Sequence, residues 1–212
     1  TDTQGNVAIS IAFSDLAGNA GDAVTATTNS SSVIYDRAVP TLSAVTVTSN
    51  NDNSAYAKEG DIVTLSFTSS ENLQSDPTVT IDGNAATVSG SNTTWTAAYT
   101  MQSGDTEGDV NFTIDFLDLA SNSGSRVTTL TSGDKIVYDE TVPTLPTVDI
   151  SSNNSNGATF AKVGDVITIS VSASENIQTP TVTIAGNAAA IATGSNGERV
   201  YTATYTMQSS DN

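Results

Sequence analysis

Carboxylates are the side chains through which this sequence could do chemistry. It carries 23 Asp and Glu against 6 Lys and Arg, a formal net charge of −17, and neither His nor Cys. Without His, the commonest general base and transition-metal ligand are gone. Without Cys there is no disulfide and no thiolate zinc site. Ser and Thr are abundant but lack a usual activating base, and nothing places two carboxylates across a cleft as glycoside hydrolysis requires. No catalytic residue is therefore assigned, and the chain is not expected to be an enzyme. Gathered carboxylates are suited instead to a hard divalent cation, and calcium, which takes about six to eight oxygen ligands, is the cofactor expected here.

The same charge argues against nucleic acid and anionic membranes as partners, since both need Lys and Arg to offset phosphate. No apolar run approaches the ~20 residues of a membrane-spanning helix, so no direct membrane insertion is expected. A soluble, extracellular protein fits this surface.

Which carboxylates meet depends on the elements that carry them, and internal repetition is the strongest guide to those. Asp36-Arg-Ala-Val-Pro40-Thr-Leu42 recurs as Asp139-Glu-Thr-Val-Pro143-Thr-Leu145, 103 residues further on. Ala57-Lys-Glu-Gly-Asp61 recurs as Ala161-Lys-Val-Gly-Asp165, Ser70-Glu-Asn72 as Ser174-Glu-Asn176, Tyr99-Thr-Met-Gln-Ser103 as Tyr205-Thr-Met-Gln-Ser209, and Phe13-Ser-Asp-Leu-Ala17 as Phe116-Leu-Asp-Leu-Ala120. The sequence thus divides into the C-terminal part of one repeat (1–39), a complete repeat (40–142) and the N-terminal part of a third (143–212).

Each copy alternates apolar and polar residues with period two, the mark of half-buried strands. Val63, Leu65 and Phe67 share one face, as do Ile167, Ile169 and Val171 in the next copy; Val110, Phe112, Ile114 and Phe116 match Val7, Ile9, Ile11 and Phe13. Trp95, Ala97, Tyr99 and Met101 line a further face, repeated by Tyr201, Ala203, Tyr205 and Met207. The complete copy offers about seven strands, near 43–49, 61–69, 77–82, 85–89, 93–101, 109–117 and 126–138. That count predicts an all-β fold of tandem antiparallel sandwiches of the immunoglobulin type, with a closed barrel as the alternative. Trp95, Phe67, Phe112 and Tyr99 are expected to form the core that a disulfide braces in antibody domains.

In such a sandwich the first strand starts at the pole where the preceding repeat attaches, and the loops after the second and sixth strands return there. Those loops hold Glu71 and Asp118, and the linker brings Asp36 to the same pole, so three carboxylates converge. The next joint is expected to gather Asp139, Glu140 and Glu175. The opposite-pole loop Asp105-Thr-Glu-Gly-Asp109 faces that joint too, although it lacks the full ligand spacing of an EF-hand. Asp15 and Asp118 also fit the other common use of an acid in a turn, which is to accept local backbone donors.

The Asp-x-x-x-Pro joint, the Ala-Lys-x-Gly-Asp turn, the Ser-Glu-Asn loop and the Asp15-Leu-Ala-Gly-Asn19 turn together resemble the immunoglobulin-like tandem repeats of giant secreted bacterial surface adhesins of the RTX or biofilm type. The resemblance covers essentially the whole chain. It implies a location outside the cell or on its surface and a structural role, an extender that holds a binding tip away from the cell, with calcium at the joints. The partners it implies are neighbouring repeats of the same protein. A glycan- or protein-binding module and a surface-layer or filament subunit are the alternatives. The middle copy departs from the turn pattern, with Ser121 where the first copy has Gly18.

The partial repeats at the two ends carry a further expectation. Residues 143–212 supply the first five strands of a sandwich and residues 1–39 the last two, so two readings stand side by side: head-to-tail complementation between chains, as in donor-strand addition, or completion of each part by further sequence of the same, longer polypeptide.

Overall fold

The computed structural model describes residues 3–194 and 197–211. Its described residues form strands, turns and loops without any helix. Two compact units are present, Thr1–Glu140 and Thr141–Asn212. Residues 1–39 and most of the central repeat belong to the first of these.

The central repeat contains two main antiparallel sheets. In the first, the strands Leu42–Ser49, Ile62–Ser69, Thr94–Thr100 and Thr87–Ser91 lie side by side in that order. In the second, Phe112–Asp115 pairs with Thr78–Ile81, which pairs with Asn84–Ala85. Val45, Val63, Leu65, Phe67, Trp95 and Ala97 from the first sheet share one core with Val79, Ile81, Phe112 and Ile114 from the second. The period-two pattern decides this. Inward residues of Ile62–Ser69 are buried at every second position, and the Thr and Ser between them face outward. Tyr99 is only half-buried, its hydroxyl donating to Asp105 Oδ1 at 3.2 Å.

Local turn chemistry sets the edges. Asp82 and Gly83 both take positive φ (48° and 78°), the geometry of a tight hairpin turn that joins Thr78–Ile81 to Asn84–Ala85. The expected last strand, 126–138, is broken. Val127 makes a single bridge to Ile114, the chain bends through Thr131-Ser132-Gly133, and only Val137–Tyr138 is strand again. That short piece pairs antiparallel with Gly108–Asp109 and parallel with Tyr56–Ala57.

Residues 3–39 repeat the conformation of 106–142 without its cover. Gly5 faces Tyr35 as Gly108 faces Tyr138, and Ile11 bridges Val24 as Ile114 bridges Val127. Yet Ile11 is 54% exposed where Ile114 is 0%, and Tyr35 is 38% exposed where Tyr138 is 0%. The strands that cover those side chains in the central repeat, Thr78–Ile81 and Tyr56–Ala57, have no counterpart in residues 3–39.

The second unit carries counterparts of the central repeat's N-terminal strands. Thr147–Ser152, Val166–Ser172, Gly197–Thr206 and Ala190–Gly194 form a four-stranded antiparallel sheet, and Thr183–Ile184 pairs with Asn187–Ala188 as a separate hairpin. Ile167, Val171, Tyr201 and Ala203 are buried, but Val148 is 58% exposed where its counterpart Val45 is 0%.

Candidate metal centre

At the junction of the linker with the central repeat, oxygen atoms of Asp36, Glu71 and Asp118 lie within 4.8 Å of one another. Asp118 is fully buried, and the other two are half-buried. These are the three residues that strand counting sends to one pole. Among the described residues, no other set of three His, Cys, Asp or Glu side chains is gathered as closely.

Backbone pairing between three distant segments creates the site. Ser70 N–H donates to Thr41 O at 2.9 Å, and Thr41 N–H to Ser70 Oγ at 3.0 Å, which fastens the chain entry to the Glu71 loop. Gln74 N–H donates to Leu117 O at 3.0 Å, and Leu73 bridges Asp118, which fastens that loop to the Asp118 turn. Asn122 completes the ring. Its side-chain amide donates to Asp118 Oδ2 at 2.7 Å and to the linker carbonyl of Asp36 at 3.3 Å. Asn122 was not singled out as a site residue, although its recurrence as Asn19 in the same turn was the available signal.

Asp118 serves the turn as well as the cluster. Its Oδ1 accepts from the amides of Ala120 and Asn122, both at 2.8 Å. Asp15 makes the same bonds to Ala17 and Asn19. Burial, the largest influence on the Asp118 carboxyl, pushes its pKa up. The hydrogen bonds from Asn122, Ala120 and Ser121 together outweigh it, so the group ends below the ordinary value. Glu71 moves the other way, raised first by burial and then by the negative charges of Asp36 and Asp118. One carboxylate is thus held ionised, and a second resists ionising beside it, an arrangement that a divalent cation relieves.

The two shifts give opposite pH windows. A carboxyl whose folded pKa is raised favours the folded state while it is protonated, so the Glu71 contribution is lost as the pH climbs above its unfolded value near 4.5. The lowered Asp118 stabilises above its unfolded value near 3.8, and that contribution is lost as the pH falls through its folded value. In chelator, the melting temperature of the central repeat should therefore carry a decline that sets in as the pH climbs above about 4.5, and Glu71→Gln should remove that decline. A melting curve against pH that is superimposable for the two proteins would show that Glu71 is not held in this environment.

The turn at Ser121 keeps the shape of its glycine counterpart at a cost. Ser121 sits at φ 71° where Gly18 sits at 92°, a region that side chains with a Cβ enter unfavourably. Ser121 Oγ accepts a hydrogen bond from Gln74 Nε2 at 3.1 Å, which offsets part of the strain. Ser121→Gly should stabilise the repeat by about 0.5–1 kcal/mol, read by urea denaturation. A destabilised variant would mean that the Gln74 bond outweighs the strain.

Of the second expected set, Asp139 and Glu140 lie in the first unit and Glu175 in the second. Glu140 turns back onto its own repeat, where Oε1 accepts from Ser103 Oγ at 2.5 Å, and Oε2 from Gly104 N–H and Tyr138 Oη–H, both at 3.2 Å. The Ser103 bond is the largest influence, and it lowers the Glu140 pKa. Glu140 lies two residues past the short strand Val137–Tyr138, whose end lies beside the 101–104 turn, so its carboxylate closes that turn. Asp139 extends the parallel pairing, its amide donating to Ala57 O at 2.9 Å. Glu175 belongs to the other unit and has one buried oxygen, Oε1, without a hydrogen-bond partner.

The acids of the 105–109 loop are also engaged within the repeat. Asp105 accepts from Asn84, Tyr99 and Gln102, and Asp109 pairs with Lys135 at 2.6 Å. Glu107 Oε1 accepts from the Glu140 amide at 3.0 Å. Asp211 repeats the Asp105 pattern with Asn187, Tyr205 and Gln208. The acids of both loops are thus held in hydrogen-bonded turns. No protein-family model matches the chain, and no curated protein matches it either.

Proposed function

We propose that this chain is a segment of the extender region of a bacterial extracellular adhesin: immunoglobulin-like repeats in series, with calcium stiffening the joint at Asp36, Glu71 and Asp118. The observation that carries this reading is the origin of the three carboxylates. One comes from the linker and two from loops of the repeat that the linker enters, so a cation held by all three ties the linker to the repeat. Strand order supports the immunoglobulin-type assignment. One sheet runs first, second, fifth, fourth strand, and the third and sixth strands pair in the other, as in constant-type domains. The absence of His and the lack of a carboxylate pair across a cleft support a mechanical rather than a catalytic role.

Calcium titration of the 212-residue chain is the test. Extracellular modules hold calcium with Kd about 10⁻⁴–10⁻³ M. Calcium at about tenfold to a hundredfold above Kd then adds about 1.4–2.7 kcal/mol, and each kcal/mol raises the melting temperature of a domain this size by about 4–8 °C. Asp36→Ala combined with Glu71→Ala should abolish the rise and leave the repeat folded. If chelator changes neither the melting temperature nor the radius of gyration at moderate ionic strength, calcium has no part in the joint.

A further inference from the structure

We propose that the central repeat binds an extended, uncharged peptide segment in a slot beside Phe112, where the last part of the repeat bows away from its neighbouring strand. The bow follows from the pairing. Val110 N–H donates to Ile136 O at 2.9 Å, and Ile114 and Val127 exchange bonds of 2.9 and 3.1 Å. Between those two contacts one segment advances four residues and the other nine, so a loop with five extra residues stands off the strand. In residues 3–39, Val7 bonds Val33 and Ile11 bonds Val24, with the same steps of four and nine. The excess is therefore a property of the repeat, and bulges of this kind are over-represented beside functional sites.

The loop leaves a strand edge without its partner. Successive residues of a strand bond to opposite sides. Asn111 O accepts from Asp82 N–H on one side, and Ile114 bonds Val127 on the other. Phe112 shares the side of Ile114, so its amide and carbonyl point toward the loop, and among the described residues no backbone bond meets them there. Regular pairing would put Thr129 opposite, but the loop crosses to the other sheet, where Thr131 N–H donates to Val45 O at 2.9 Å. The space left is a cavity of about 330 Å³ walled by Val47, Val110, Phe112 and Leu130, a size within the ~300–1,000 Å³ of small-ligand sites. Every one of these residues lies in the complete repeat, and none belongs to the Asp36–Glu71–Asp118 cluster.

The chemistry of the slot selects its occupant. An amide and a carbonyl side by side on a strand edge are complementary to the same pair on another extended chain, the basis of strand addition. The apolar walls call for an aliphatic side chain next to Phe112. Charge selects a neutral one. The single charged residue of the lining is Lys135, which would oppose a base, and the field of a chain carrying −17 opposes an acid. The Lys135 ammonium bonds Asp109 at 2.6 Å, and two of its three donors remain for a peptide carbonyl.

Amide hydrogen exchange, followed by NMR on the 212-residue chain, tests the site. In the free chain the Phe112 amide should exchange fast and the Ile114 amide slowly. A blocked tripeptide with leucine between two threonines should slow exchange at Phe112 and shift the resonances of Phe112, Thr129 and Leu130 to saturation. The same peptide N-methylated at leucine loses the bond to Phe112 O and should bind about threefold to tenfold more weakly. Leu130→Trp fills the cavity and should abolish the shifts while the repeat keeps its melting temperature. Octanoate offers an apolar body without an amide and should leave exchange at Phe112 unchanged. Chelator should alter none of these results, which separates them from the calcium reading. A Phe112 amide already protected in the free chain, equal binding of the N-methylated peptide, or protection by octanoate overturns the proposal.

Discussion

Phe112→Ala should lower the stability of the central repeat by about 3–5 kcal/mol, the usual cost of truncating a buried aromatic side chain. Phe112 projects from Phe112–Asp115 into the core shared with Val79, Ile81 and Trp95. It has no polar atom, so the loss is one of transfer free energy and of contacts around the cavity left behind. Two controls separate this from a general effect of alanine. Thr113→Ala, on the opposite face of the same strand, leaves the core intact and should cost less than about 1 kcal/mol. Ile9→Ala occupies the slot of Phe112 in the uncovered ribbon and should leave the central repeat's denaturation curve unchanged. Equal losses for Phe112→Ala and Thr113→Ala in guanidinium titrations would place the strand one residue out of register.

Gly124→Ala should destabilise the same repeat by about 1–3 kcal/mol through overpacking. The reason is space, not backbone freedom. A Cβ at Gly124 would lie 2.2 Å from Cε2 of Phe116, far inside contact distance, and the Phe116 ring is itself only 5% exposed, so it has little room to turn aside. The first repeat supplies an internal control. A Cβ at Gly21 would meet the Phe13 ring at 2.3 Å, but Phe13 is 54% exposed. Gly21→Ala should therefore be nearly neutral in the free chain, since the ring can swing into solvent. A neutral Gly124→Ala, measured by thermal melting, would show that the Phe116 ring is free to move.

The strands were legible because burial on one face imposes a period of two, and Val63, Leu65 and Phe67 leave no other reading. The Asp36–Glu71–Asp118 cluster was legible for a topological reason: once the strands are counted, the ends of the second and sixth must return to the pole where the linker enters. Glu140 was not legible in this way. Its fate depends on a few ångströms of reach to Ser103 and Gly104, and composition carries no information at that scale. The broken strand at 126–138 has a similar cause. Ser132-Gly133-Asp134 interrupts its apolar residues, and the backbone amide of Thr131 is diverted to Val45 O at 2.9 Å instead of a strand partner. The glycine–phenylalanine contact left a trace that could have been read, because Phe13 with Gly21 and Phe116 with Gly124 recur at the same spacing of eight residues.

The parallel pairing of Val137–Tyr138 with Tyr56–Ala57 has a consequence for how the repeat yields to force. Val137 N–H donates to Ala55 O at 3.0 Å, and Asp139 N–H donates to Ala57 O at 2.9 Å, immediately before the chain leaves the repeat. These bonds lie across the strand, as ladder bonds do. Tension applied along the exit segment loads them side by side, in shear, so they must rupture together instead of unzipping one at a time. Gly108–Asp109 holds the other edge of the same short strand and shares that load. Under stretching, the repeat should resist as a clamp that fails at one high force and then unravels freely, the behaviour of a brittle latch rather than of a spring.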